Sequence, residues 1–126
     1  MFNILLSLQL LVSPLLAFNL DRSNLHDVCG CDISSTDQIW APSLGIQSVN
    51  PDTFQGLTNI RQINFDGNQL TFIDGNIFSG LFNLRVIDLQ RNQLSSLSSN
   101  LFSSLSKLDQ LWFWKNKITS LDLKFF

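Results

Sequence analysis

Few side chains in this 126-residue chain could do chemistry, and they are unevenly placed. The only histidine, His26, stands three residues before Cys29-Gly30-Cys31-Asp32, which holds both cysteines. Sulfur, imidazole and carboxylate together could hold zinc, but this spacing departs from the usual ligand pairs of zinc sites. In an oxidising compartment the two cysteines could close a local disulfide across one residue. Alternatively both stay free thiols, or one bridges to another chain. Asp66 and Asp88 could mimic an acid–base pair, although Arg61, Arg85 and Arg91 offer them ordinary ion pairing. With no glycine-rich phosphate loop and no nucleophile elbow, the chain reads as a non-enzyme with no catalytic residue, cofactor or metal site assigned. The other candidates are aromatic: Trp40, Trp112 and Trp114, the full set of tryptophans.

What positions these residues is a repeat. Asn68, Asn92 and Asn116 stand 24 residues apart, and Phe54, Phe78, Phe102 and Phe126 keep the same interval. The apolar set Ile60, Ile63, Phe65, Leu70, Ile73 recurs as Leu84, Ile87, Leu89, Leu94, Leu97, then as Leu108, Leu111, Phe113, Ile118, Leu121. Registered self-similarity of this kind is the signature of a solenoid. Each unit carries an alternating triplet, Ile63-Asn64-Phe65, Ile87-Asp88-Leu89 or Leu111-Trp112-Phe113. Period-two alternation predicts a half-buried strand near 63–65, 87–89 and 111–113, its outer pair inward and its middle residue outward. Stacked units pair these strands into a parallel sheet. Three residues on, each asparagine sits where the chain must turn out of the sheet, and its amide could bond across to the next coil. Phe54, Phe78 and Phe102 read as an aromatic spine along the return path. No unit can bury its own apolar face, so each depends on its neighbours.

The pattern I/L-x-x-I/L-x-F/L-x-x-N-x-L/I resembles the leucine-rich repeat family, specifically the 24-residue type of animal extracellular proteins. The resemblance covers about Ile39 to Phe126 and implies an α/β-type leucine-rich repeat solenoid. Its short parallel sheet would line the concave side, and its convex side would be mostly irregular. Counting back one period sets Ile39, Ala41, Ile46 and Val49 in the core columns and predicts a cap strand near 39–41. Cys29-Gly30-Cys31 then resembles the family's N-terminal flanking cap, whose C-x-C pair is the middle of four cysteines forming two crossed disulfides. Here the outer two are missing: the upstream position falls near Leu25 and the downstream one at Ala41. The usual two bridges therefore cannot form, and the cap is degenerate.

The expected organisation is a signal peptide at 1–17, a cap with its lead-in segment at 18–59, and repeats at 60–83, 84–107 and 108–126, the last incomplete. The apolar run from Ile4 to Phe18 is broken by Gln9 and Pro14, short for a membrane span, and holds the small residue Ala17 next to its end. Cleavage there would start the mature protein at Phe18. A chain ending on the spine column suits a piece of a longer receptor-like protein; otherwise a partner covers the open end. A net charge of −2 with scattered Lys and Arg gives no nucleic-acid footprint. Membrane association would need a retained N-terminal segment or a further C-terminal span. No asparagine begins an N-x-S/T sequon, which leaves every surface free of that glycan.

Function must sit at the variable, outward columns, because repeat leucines are structural. The resemblance makes these columns the concave binding side: Arg61, Asn64 and Asp66 in one coil, Arg85, Asp88, Gln90 and Arg91 in the next, Trp112, Trp114 and Lys115 in the third. Trp40 and Pro42 hold the same columns in the cap. All three tryptophans fall there, and Trp and Arg are enriched at interface hot spots. The expected function is an extracellular protein-interaction module, secreted or part of an ectodomain, that binds a protein ligand. Trp112 and Trp114 would be its centre, rimmed by Arg91, Lys115, Asp88 and Gln90. In a competing reading these indoles shield the open end of the array. A second function class is a matrix or adhesion protein that assembles through its repeats, using Phe72 and Phe82 on the other side.

Overall fold

The computed structural model describes residues 17–121, so Phe126 and the expected signal segment short of Ala17 lie outside it. Its elements are β1 (Phe18–Leu20), α1 (Leu25–Cys29), β2 (Gln38–Trp40), β3 (Ile46–Val49), β4 (Gln62–Asn64), β5 (Val86–Asp88) and β6 (Gln110–Trp112). Strands β2, β4, β5 and β6 form one parallel sheet in chain order. Register follows the repeat: Ile39 pairs with Ile63, Ile63 with Ile87 and Ile87 with Leu111. The strands start and end one residue before their predicted bounds. Pairing nevertheless continues past them, since the Phe65 amide donates to the Asp88 carbonyl at 2.8 Å and the Leu89 amide to the Trp112 carbonyl at 2.7 Å.

Behind the sheet the periodic columns close into one core. Ile39, Ile60, Ile63, Leu70, Leu84, Ile87 and Leu94 are wholly buried. Phe54 and Phe78 stack with centroids 6.5 Å apart, so the spine forms between these coils. The array's last coil is less closed: Leu108, Leu111, Phe113 and Ile118 are only partly buried. No helix among the described residues is long and apolar enough to cross a membrane.

The asparagines form a ladder that points backwards. The Leu44 and Ile46 amides donate to Asn68 Oδ1, and Asn68 Nδ2 donates to the Ala41 and Phe65 carbonyls. Asn92 and Asn116 repeat the pattern on Leu70 and Leu94. Each side chain thus serves the preceding coil, not the following one as expected, and satisfies backbone that the corner buries. The residue before each asparagine, and before Leu44 in the same column of the cap, adopts a left-handed backbone: Ser43 at φ 54°, Gly67 at 71°, Arg91 at 53°, Lys115 at 54°. Glycine meets this need without strain, whereas the other three coils hold a side chain there at some cost.

The cap contains two features with no periodic signal. Strand β1 pairs in parallel with β3, giving a second small sheet. Helix α1 is a single turn closed by Gly30 at φ 61°, and it buries Leu25 and Val28. Cys29 and Cys31 are joined to each other, with Cα atoms 5.2 Å apart. Of the fates open to them, the local disulfide is the one adopted, and it removes both sulfurs from any metal site. His26 Nδ1 instead meets the Cys31 carbonyl oxygen. Leu25 and Ala41, which replace the outer cysteines, are both wholly buried. Apolar packing stands where the resemblance would have placed covalent bonds.

Candidate interaction face

The outer surface of the four-stranded sheet is built from columns that the fold leaves free. Ile39, Ile63, Ile87 and Leu111 point into the core, so the residues beside them point away. One outer column runs Trp40, Asn64, Asp88, Trp112, adjacent members being strand partners. Two residues on lies a second column, Pro42, Asp66, Gln90, Trp114. At the N-terminal ends of the strands sit Asp37, Arg61, Arg85 and Asp109.

Its middle is a polar network and not an open surface. Asn64 and Asp66 were expected outward and do leave the core, yet both are buried, at 7% and 8% exposure. Short turns partly explain this. The Asp66 amide donates to Asn64 Oδ1 at 2.9 Å, and one coil later the Gln90 amide donates to Asp88 Oδ1 at 3.1 Å. The rest comes from Arg91, whose Nε donates to Asp66 Oδ1 at 2.7 Å and whose Nη2 reaches Oδ2. Arg91 was expected to rim the tryptophans; it turns instead to the preceding coil, because a fork of donors matches a carboxylate. This pairing, with the Arg91 hydrogen bond as first cause, holds the Asp66 carboxyl below its ordinary range and the Arg91 guanidinium above its own.

Asp88 differs. Its carboxylate accepts from the Gln90 amide, from Gln90 Nε2 at 3.0 Å and from Asn64 Nδ2 at 3.4 Å, all neutral donors. Burial first, and the nearby Asp66 charge second among the raising causes, push its carboxyl above the ordinary range. Gln90 Oε1 is enclosed without a partner among the described residues. Asp66 and Asp88 thus meet through shared neighbours, but one is neutralised by Arg91.

The aromatic flanks are open. Trp40, Trp112 and Trp114 are 51%, 47% and 49% exposed. The Trp112 indole N–H donates to Gln110 Oε1 at 3.3 Å, and Lys115 Nζ lies 5.0 Å from the Trp114 ring centroid. Trp114 also lines a cleft of about 340 Å³ with Phe113, Ile118 and Leu121, at the last described coil. Arg85 pairs with the exposed Asp109 at 3.0 Å, while Arg61 stands exposed and makes no side-chain bond among the described residues. So the expected residues divide: Asn64, Asp66, Asp88, Gln90 and Arg91 come together, Trp112, Trp114 and Lys115 adjoin them, and Arg61 and Arg85 stand apart. Trp40, set in the outward column by the repeat register, stands on this face as the strand partner of Asn64.

A leucine-rich repeat family model matches residues 43–94 and again 63–118, together more than half of the chain. A search of curated proteins returned no match.

Proposed function

Since this chain belongs to the leucine-rich repeat family, whose repeats mediate protein–protein interaction, we propose that it is an extracellular, non-catalytic module that binds a protein ligand on its sheet face. One observation carries this reading: every tryptophan is half-exposed on that face. The fold does not require them. The same column accepts Asn64 and Asp88 in the intervening coils, so indoles there cost solubility without serving the core. Rigid aromatics beside a polar rim have the composition of a binding centre. Neutralisation of Asp66 by Arg91 argues against a working acid–base pair.

Export is part of the proposal. Strand β1 begins at Phe18, the residue after the proposed cleavage point, so processing after Ala17 would leave the strand whole. N-terminal sequencing of secreted protein should start at Phe18.

The binding test is affinity capture with cross-linking from extracellular extracts. The partner bound by the native chain should be lost from the double variant Trp112→Ala/Trp114→Ala and retained by Phe72→Ala/Phe82→Ala. The reverse outcome supports assembly or adhesion through Phe72 and Phe82, which are 64% and 59% exposed. A melting temperature that collapses in the tryptophan variant would mean that these rings shield the last coil.

A further inference from the structure

We propose, building on the sheet-face reading, that the face receives a cationic side chain of its protein partner, a lysine ammonium or an arginine guanidinium, between the Asp88 carboxylate and the Trp112 ring.

Accounting for charge on the face leads there. Asp66 has Arg91, and Asp109 has Arg85. Among the described residues Asp88 has only amide donors, and the nearby Arg91 is bonded to Asp66, so the Asp88 charge is hydrogen-bonded but carries no salt bridge of its own. It is also half-buried, where an uncompensated charge is costly and a matching one is worth more than in water. Trp112 is its direct partner on β6. Neighbouring strands lie about 4.8 Å apart, so one compact cation can touch the carboxylate and an indole face together. The other indole already shows this preference: Lys115 occupies Trp114. No cation among the described residues lies over Trp112, and its N–H bond to Gln110 steadies the ring.

Gln90 adds a second demand for a donor. Its Nε2 is committed to Asp88, which fixes the amide orientation and leaves Oε1 enclosed and unpaired. An arriving cation that replaces Nε2 on the Asp88 carboxylate frees the side chain to turn, so that the oxygen accepts from the same cation, an exchange that an anionic or purely apolar ligand cannot supply. The facing cations are Arg91, held by Asp66, and Lys115, set over Trp114; Arg61 and Arg85 lie at the other end of the strands. An anion placed at this spot would meet Asp88 and Asp66 at once. The surface selects for positive charge.

The test uses three acetylated, amidated tripeptides, Gly-Arg-Gly, Gly-citrulline-Gly and Gly-Glu-Gly, titrated at millimolar concentration into the isotope-labelled protein. The Trp112 indole and Gln90 side-chain NMR signals are followed. The arginine peptide should shift both saturably and bind about tenfold tighter than its neutral citrulline counterpart, with the glutamate peptide weakest. Asp88→Asn should abolish that preference. This variant keeps the turn, because Asn64 makes the same turn one coil earlier. Trp112→Ala, followed through the Gln90 signals, should weaken the arginine peptide more than the citrulline one, because it removes the ring face that a cation prefers. Equal affinity for arginine and citrulline, no arginine-induced shift, or an arginine preference surviving in Asp88→Asn overturns the inference. Should a captured partner depend on Trp112 and Trp114 but bind Asp88→Asn unchanged, the cation pocket falls and the sheet-face reading stands. Capture indifferent to the tryptophans removes the sheet-face reading itself.

Discussion

Replacing Asn92 by alanine isolates the ladder that holds one coil to the next. Four bonds disappear: the Leu70 amide to Oδ1 at 3.0 Å, and Nδ2 to the Phe65, Leu89 and Gln90 carbonyls at 2.9, 3.1 and 3.1 Å. They are not equal in consequence. The Phe65 carbonyl keeps Asn68 Nδ2, the Leu89 carbonyl keeps Asn116 Nδ2, and the Gln90 carbonyl keeps the Gly67 amide. Only the Leu70 amide is left as a buried donor with no acceptor, at about 1–3 kcal/mol. Adding roughly 1 kcal/mol for the three shared carbonyls gives a total near 2–4 kcal/mol. Urea denaturation followed by circular dichroism should show a lower midpoint with little change in slope. Asn116→Ala should cost less, because Asn116 is half-buried and water can replace its bonds. Asn92→Asp separates acceptor from donor: Oδ1 still serves Leu70, but a carboxylate now faces three carbonyls. It should be less stable than the alanine variant at neutral pH. Its folded-state pKa is raised, so its deficit should shrink as pH falls through that value and the protonated oxygen becomes a donor. Asn92→Ala within about 0.5 kcal/mol of the native chain, or Asn92→Asp as stable as native at pH 7, would refute the ladder as a source of stability.

Ile87→Ala should cost about 2–5 kcal/mol in the same assay, because Ile87 is wholly buried in the middle coil. Reducing the Cys29–Cys31 bond should change stability by no more than about 1.5 kcal/mol, since its cysteines are separated by only 2 positions; a larger loss under reductant would show that the bond organises the cap. The Asp66–Arg91 pair gives an acid-side test. A carboxyl whose folded pKa is lowered stabilises the fold above its unfolded value, and that contribution is lost as pH falls through the folded value. Below about pH 4 the native chain should therefore lose more stability than Arg91→Met, which lacks the pair; parallel curves would show that the pairing is not energetically linked to folding.

The core was legible in the sequence because burial selects by volume and polarity at every coil. Ile39, Ile63 and Ile87 hold one register position in neighbouring strands of the sheet and are wholly buried, so each meets the same constraint. The ladder was legible in its residues but not in its direction, since spacing alone does not say which neighbouring coil an amide will reach. Strand β1 and helix α1 were not legible. They are three and five residues long and take their stability from pairing with β3 and from burying Leu25 and Val28. Such long-range contacts leave no local period.

On the outer face the sequence placed the residues in columns but could not say how they engage one another. Whether Arg91 rims an indole or clasps a carboxylate depends on geometry across 25 residues of chain. Exposure likewise depends on cover: Asn64 and Trp112 share a column, yet one is closed in and the other is half open. That contrast bears on function. Asn64 is covered by its own turn and by its neighbours, whereas Trp112 carries a large apolar ring against solvent in a position that a small amide fills adequately. Core packing cannot explain the larger residue, since the column lies outside the core. The unbalanced Asp88 beside it is a second departure from what the fold needs, because a neutral asparagine makes the same turn one coil away. Two adjoining departures, one apolar and one charged, are what a surface shaped to meet a basic side chain would show.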